Sequence, residues 1–166
     1  TPVQNPVWQS AHLYCCMTAD PDAGRAGPAT VVWQDIPTAA ATHCAAPGAI
    51  VNAGFIAYAA GDWTYQPSIT VDSTDTLALV FTTSSAAKCP KISYTIRKVT
   101  DPPGFFDGPL DAFISAGFYD SFVAGPKDRW GDYAAIVRDP SEPGLCFWGA
   151  HEYAFTSVVA ASAWGT

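Results

Sequence analysis

Positive charge is scarce in this chain. Of 166 residues, eight are Lys or Arg against fifteen Asp or Glu, and charged residues of both signs make up only 14%. A globular domain ordinarily carries about a quarter. The cations form no run, whereas a surface that tracks phosphates needs clustered Lys and Arg, so no nucleic-acid partner is expected. Long apolar runs are missing as well: no uncharged apolar stretch reaches the roughly 18 residues of a membrane span, and none is expected. The opening TPVQNPVWQS has no basic segment followed by an apolar one, so a secretory leader is absent or already removed.

Spaced chemical motifs are also few. The five cysteines (Cys15, Cys16, Cys44, Cys89 and Cys146) include no CxxC pair, which argues against a structural metal. There is no EF-hand spacing, and no GxSxG elbow accompanies His12, His43 and His151. Helix signals are weak: 38–46 (TAAATHCAA) suits a helical turn, and a helix after Pro109 competes with a strand.

What remains is the composition of a secreted all-β protein of one-domain length, with many Thr, Ser, Ala, Gly and Pro, six Trp and 49% apolar residues. An extracellular or periplasmic location is expected. In such a compartment five cysteines predict two disulfides and one leftover thiol, free or joined to another chain. Cys15 and Cys16 adjoin in an expected strand, so they face opposite sides of it and would take different partners. The alternative is that several are buried small apolar residues.

Strand signals dominate. TVVWQDI, SITVD, LALVFTT, ISYTIRKV and YAAIVRD are short, β-branched or aromatic, and bounded by turn residues. KISYTIRKV alternates, with Ile92, Tyr94, Ile96 and Lys98 on one face and Ser93, Thr95, Arg97 and Val99 on the other. LALVFTT is apolar throughout, as a strand covered on both faces should be.

The chain also repeats itself. AIVNAGF at 49–55 returns as AFISAGF at 112–118, and strands ending in Asp72 and Asp139 stand 67 positions apart, each followed by a second apolar strand. A fainter copy, HLYCCMTAD followed by ATVVWQDI, ends its first strand at Asp20. Units of this length with three or four short strands fit β-propeller blades. The expectation is about three antiparallel four-stranded blades of a partial ring, with approximate units 7–58, 63–118 and 129–166. A β-sandwich is the alternative. Because a ring needs more blades, the chain reads as the C-terminal part of a larger propeller, completed by a second polypeptide.

The most specific text is RWGDYAAIVRDPSEPGLCFWGAHEYA, followed by AWGT. It resembles the closing blades of secreted bacterial sialidase-like (BNR/Asp-box superfamily) β-propeller proteins, and PSITVD, SSAAKCPKISYTIRKV and SAGFY extend the likeness over most of the chain. The resemblance implies a propeller and, if the chain is enzymatic, a glycoside hydrolase. It departs from true sialidases, which hold a carboxylate in an arginine cluster, whereas this chain has only Arg25, Arg97, Arg129 and Arg138 and no SxDxGxxW Asp-box.

Candidate residues follow. Arg129 can clamp a carboxylate in a bidentate fork, with Asp132 as acid, base or metal ligand. Asp132 and Glu152 can form the carboxylate pair of glycoside hydrolysis. Tyr153 completes the catalytic set. Structurally, the same polar residues can lock one blade onto the next. Trp63, Tyr65, Trp130 and His151 are the ligand-binding candidates, the aromatic rings suiting a sugar as well as a core. The turns at Asp20 and Asp22 and at Asp139, Ser141 and Glu142 offer oxygens for calcium, though Asp also caps such turns unaided; no other cofactor is expected. Three roles emerge: a binding or scaffold module for glycans or surface polymers, part of a sialidase-like hydrolase, or a structural subunit completed by a partner chain.

Overall fold

Alternating and continuously apolar runs bounded by Gly, Pro, Asp and Ser condense into antiparallel sheet. The computed structural model describes residues 3–20, 28–38, 50–56, 58–119, 130–131, 133–144, 146–155 and 164–165, and among these every regular element is a strand. The possible helical turn at 39–46 lies outside the described residues.

The first sheet is a meander of β1 (Gln4–Gln9), β2 (His12–Ala19), β3 (Thr30–Pro37) and β4 (Asn52–Phe55), each antiparallel to the next. The second repeats the plan with β5 (Trp63–Val71), β6 (Leu77–Ser85), β7 (Lys88–Arg97) and β8 (Leu110–Ile114). Two two-stranded pairs follow: β9 (Ala135–Arg138) with β10 (Phe147–Ala150), and β11 (Tyr153–Ala154) with β12 (Trp164–Gly165). The all-β, antiparallel, four-stranded expectation is met in the first two sheets.

The repeated heptad marks the fourth strand of each sheet, since β4 and β8 fall within or across its two copies. The fainter upstream copy needs a correction of one strand. HLYCCMTA is the second strand of its sheet, and the first is the polar, proline-bearing β1. Both first strands carry a bulge at the same place: Asn5-Pro6 and Gln66-Pro67 interrupt the register with φ of 44° and 53° at Asn5 and Gln66. A bulge bends its strand and re-aims a side chain.

The main core lies between the two four-stranded sheets. Tyr14, Cys16, Val31 and Trp33 of the first meet Ile69, Val71, Leu77, Leu79 and Phe81 of the second. Trp33 is fully buried, and the β7–β8 loop covers it with Phe106, edge to face at 5.1 Å. Truncating a buried Phe such as Phe81 to Ala typically costs about 3–5 kcal/mol. The other face of β6 packs Ala78 and Val80 on Ile136 of β9. Every residue of β6 from Leu77 to Ser84 is buried, as its continuous apolar character predicts. In β7 the alternation holds, but the Ser/Thr face is the deeper one. Ser93 and Thr95 tolerate this because Thr83 donates to Ser93 Oγ (3.0 Å), Ser93 to Asp111 (3.2 Å) and Thr95 to Asp107 O (2.5 Å).

Three polar rungs stitch the first strands together. Gln4 donates to Gln66 (3.1 Å), and Gln66 to Gly131 O (3.0 Å). Asn5 donates to Ser68 Oγ (3.2 Å) and Ala134 O (2.6 Å), while Ile136 N–H donates to the same Ser68 oxygen (3.2 Å). Arg138 donates to Gln9 (3.1 Å), which donates to Asp72 O and to Asp75 (3.1 Å). Residue numbers rise together along all three, so β1, β5 and β9 run in the same direction.

The expected pair of disulfides is not formed. Cys15, Cys16, Cys89 and Cys146 are free thiols, and Cys44 lies outside the described residues. Cys15 and Cys16 are buried on opposite sides of β2, one against Gln34 and the other against Gln4 O. Burial pushes the Cys16 thiol up to about 12. No described helix is long and apolar enough to cross a membrane.

Candidate functional site

β5 begins at Trp63, and its alternation sends Trp63 and Tyr65 to one side. There they meet the β6–β7 turn and the chain beyond β8. The result is an open cleft of about 800 Å³ with five aromatic side chains in its lining: Trp63, Tyr65, Phe118, Tyr119 and Trp130. Trp63 is 39% exposed and Phe118 49%, so ring surface is offered to solvent. Tyr119 and Trp130 brace each other edge to face, with centroids 5.0 Å apart. Tyr65 and Ser84 share a hydroxyl–hydroxyl hydrogen bond of 3.0 Å, and burial raises the Tyr65 phenol above its ordinary value. Ser85 and Lys88 complete the polar side of the lining.

His151 stands behind this wall. The Trp130 indole donates to Thr82 Oγ1 (3.3 Å), and that hydroxyl lies 3.4 Å from both ring nitrogens of His151. His151 Nδ1 accepts from the Glu152 N–H (2.8 Å), which leaves Nε2 to donate to Gln66 O (2.9 Å). The imidazole is therefore neutral with its proton on Nε2, and burial holds its pKa below the ordinary histidine value.

Glu152 is buried, and its carboxylate fills the space that a Cβ at position 131 would need. Any larger residue at 131 would have to displace the Glu152 carboxylate from this buried position. Tyr153 is half-buried and packs on Phe113 at 4.7 Å. Arg129 and Asp132 lie outside the described residues, as does Asp22. Of the ligand-binding candidates, then, Trp63, Tyr65 and Trp130 share one cleft, with His151 one hydroxyl behind it.

The turn carboxylates are engaged. Asp139 Oδ1 accepts from the Ser141 N–H (2.8 Å) and hydroxyl (2.6 Å), and Oδ2 from the Trp148 indole (2.8 Å). Asp72 builds the equivalent turn after β5, accepting from Thr74 N–H (2.7 Å), its hydroxyl (2.8 Å) and Thr76 N–H (2.9 Å). No three His, Cys, Asp or Glu side chains among the described residues cluster as a metal site would need.

Phe118, Tyr119, Ser84, Ser85 and Lys88 were not singled out by sequence reasoning. The available signal for Phe118 was its place at the end of the repeated AGF. A second cavity of about 680 Å³ separates β6 and β7 from β9 and β10, lined by apolar side chains such as Val80, Ile92, Ile136 and Phe147. Its polar side chains are Tyr94, Thr95, Cys146 and His151.

No family model matches this chain, and no curated protein or solved structure does either.

Proposed function

We propose that the chain is a run of β-propeller blades, of the secreted sialidase-like kind its RWGDY line resembles, and that it binds a glycan in the aromatic cleft. The observation that carries the binding role is the gathering of Trp63, Tyr65, Phe118, Tyr119 and Trp130 around one open depression. A pyranose offers apolar C–H faces to such rings and its hydroxyls to groups such as Ser84 and Ser85. The blade reading is supported by two successive four-stranded meanders and by first strands that run the same way, stitched by rungs.

A partner chain that extends the ring is a second element of the proposal. Its support is the outer face of β9–β10, where Val137 and Trp148 pair across the strands and are 55% and 65% exposed. Apolar side chains left open in this way mark an interaction surface.

Glycan-array screening followed by calorimetric titration of the best hit tests the binding role. Trp63→Ala is expected to weaken the hit by about tenfold or more, close to 1.4 kcal/mol, with the circular dichroism spectrum unchanged. A hit whose affinity ignores both Trp63→Ala and Phe118→Ala would move the site elsewhere.

A further inference from the structure

Lys88 carries the only charge among the described residues that line the cleft, and it is not free. Its Nζ donates to both carboxylate oxygens of Asp62, at 2.9 and 2.8 Å. The two partners sit differently: the Asp62 side chain is 2% exposed and that of Lys88 42%. A carboxylate so fully withdrawn from water needs its counter-charge in place, because an unpaired buried anion is strongly destabilising. Lys88 therefore cannot swing away to meet an acidic ligand without stranding Asp62. It reaches the cleft wall with its charge already neutralised.

We infer that Asp62 sets the charge selectivity of the cleft, and that its ligands are uncharged saccharides rather than sialic or uronic acids. This inference rests on the glycan reading above. Among the described lining residues, an incoming carboxylate would meet aromatic faces, the Ser84 and Ser85 hydroxyls and a cation held by a competing buried anion. A neutral sugar needs only the rings and the hydroxyls, and loses nothing to the Asp62–Lys88 pair. Asp62 acts through Lys88, so it is a specificity-determining residue with no ligand contact of its own.

The test is calorimetric titration of the whole chain with cellohexaose and hexa-N-acetylchitohexaose as neutral probes and with 3′-sialyllactose and trigalacturonic acid as anionic ones. Neutral binding is expected, with the anionic probes weaker by about tenfold or more. Asp62→Asn keeps the side-chain shape but releases the Lys88 charge. It should raise anionic affinity by about tenfold while neutral affinity holds within about twofold. Should Asp62→Asn fail to fold, the wild-type preference between neutral and anionic probes still tests the inference, and an Asp62→Asn chain that folds without gaining anionic affinity would overturn the role of Asp62. Anionic probes that bind the wild type as tightly as neutral ones would overturn the inference and leave the glycan reading standing. Absence of binding to all four probes and to every glycan on the array would remove the glycan reading, and the inference with it.

Discussion

His151 shows how a residue that looks chemical from its neighbours can be structural in its bonding. Both ring nitrogens are satisfied by backbone groups, and the ring buttresses Trp130 through Thr82. Because burial lowers its pKa in the folded state, the unfolded chain takes up the proton first as pH falls. The stabilisation from the neutral ring is complete above about 6.5, the unfolded value, and is lost as the pH drops from there through the lower folded value. One proton limits the slope to about 1.4 kcal/mol per pH unit. Urea denaturation at about pH 7.5 and about pH 5.5 should find the chain less stable at the lower pH, and His151→Gln should flatten that difference. Equal slopes for both proteins would mean the ring protonates freely in the fold.

At the scale of elements, the Asp that closes a first strand is a turn device used twice. Asp72 is buried and accepts three hydrogen bonds, so Asp72→Ala is expected to cost about 1–3 kcal/mol in chemical denaturation. The Asp139 turn is more open, and its carboxyl is held down to about 2, first by the Ser141 hydroxyl and next by the Trp148 indole. A depressed carboxyl contributes above its unfolded value, near 3.9, and its contribution fades as pH falls through about 2. Trp148 fluorescence, taken as the difference from Trp148→Phe, should therefore hold steady to about pH 3 and change with a midpoint near about pH 2. Strands with β-branched or aromatic runs were legible from the letters, β5 and β6 above all, because apolar run and burial coincide there. β1 was not. Its polar, proline-bearing QNPVWQ hides a strand whose signature is a bulge, and the matching QP at Gln66-Pro67 was the clue available.

Across the whole molecule, what was hardest to read is what long-range contact creates. The cleft draws on residues from Ala29 to Trp130, and no local pattern announces that Lys88 will meet Asp62 or that Phe118 will line the same cleft as Trp63. The aromatic residues were visible as types, while their convergence depends on how sheets stack. The rungs are of the same nature: Asn5 joins Ser68 and Ala134 across 63 and 129 positions. If they couple the sheets, the double-mutant cycle of Asn5→Ala with Ser68→Ala should show a coupling energy of about 0.5–1.5 kcal/mol in urea denaturation. Strict additivity would reduce that rung to a bystander.

Cys15 and Cys16 adjoin in the chain, yet each thiol is sheltered by different contacts on different sides of a sheet one strand thick. A single proteolytic peptide consequently records two separate events. Alkylation at Cys15 alone reports loosening of the outward side of the first sheet, whereas alkylation at Cys16 reports the parting of the two sheets. The order in which the two labels arrive is a history of how the molecule comes apart, written on neighbouring sulfur atoms.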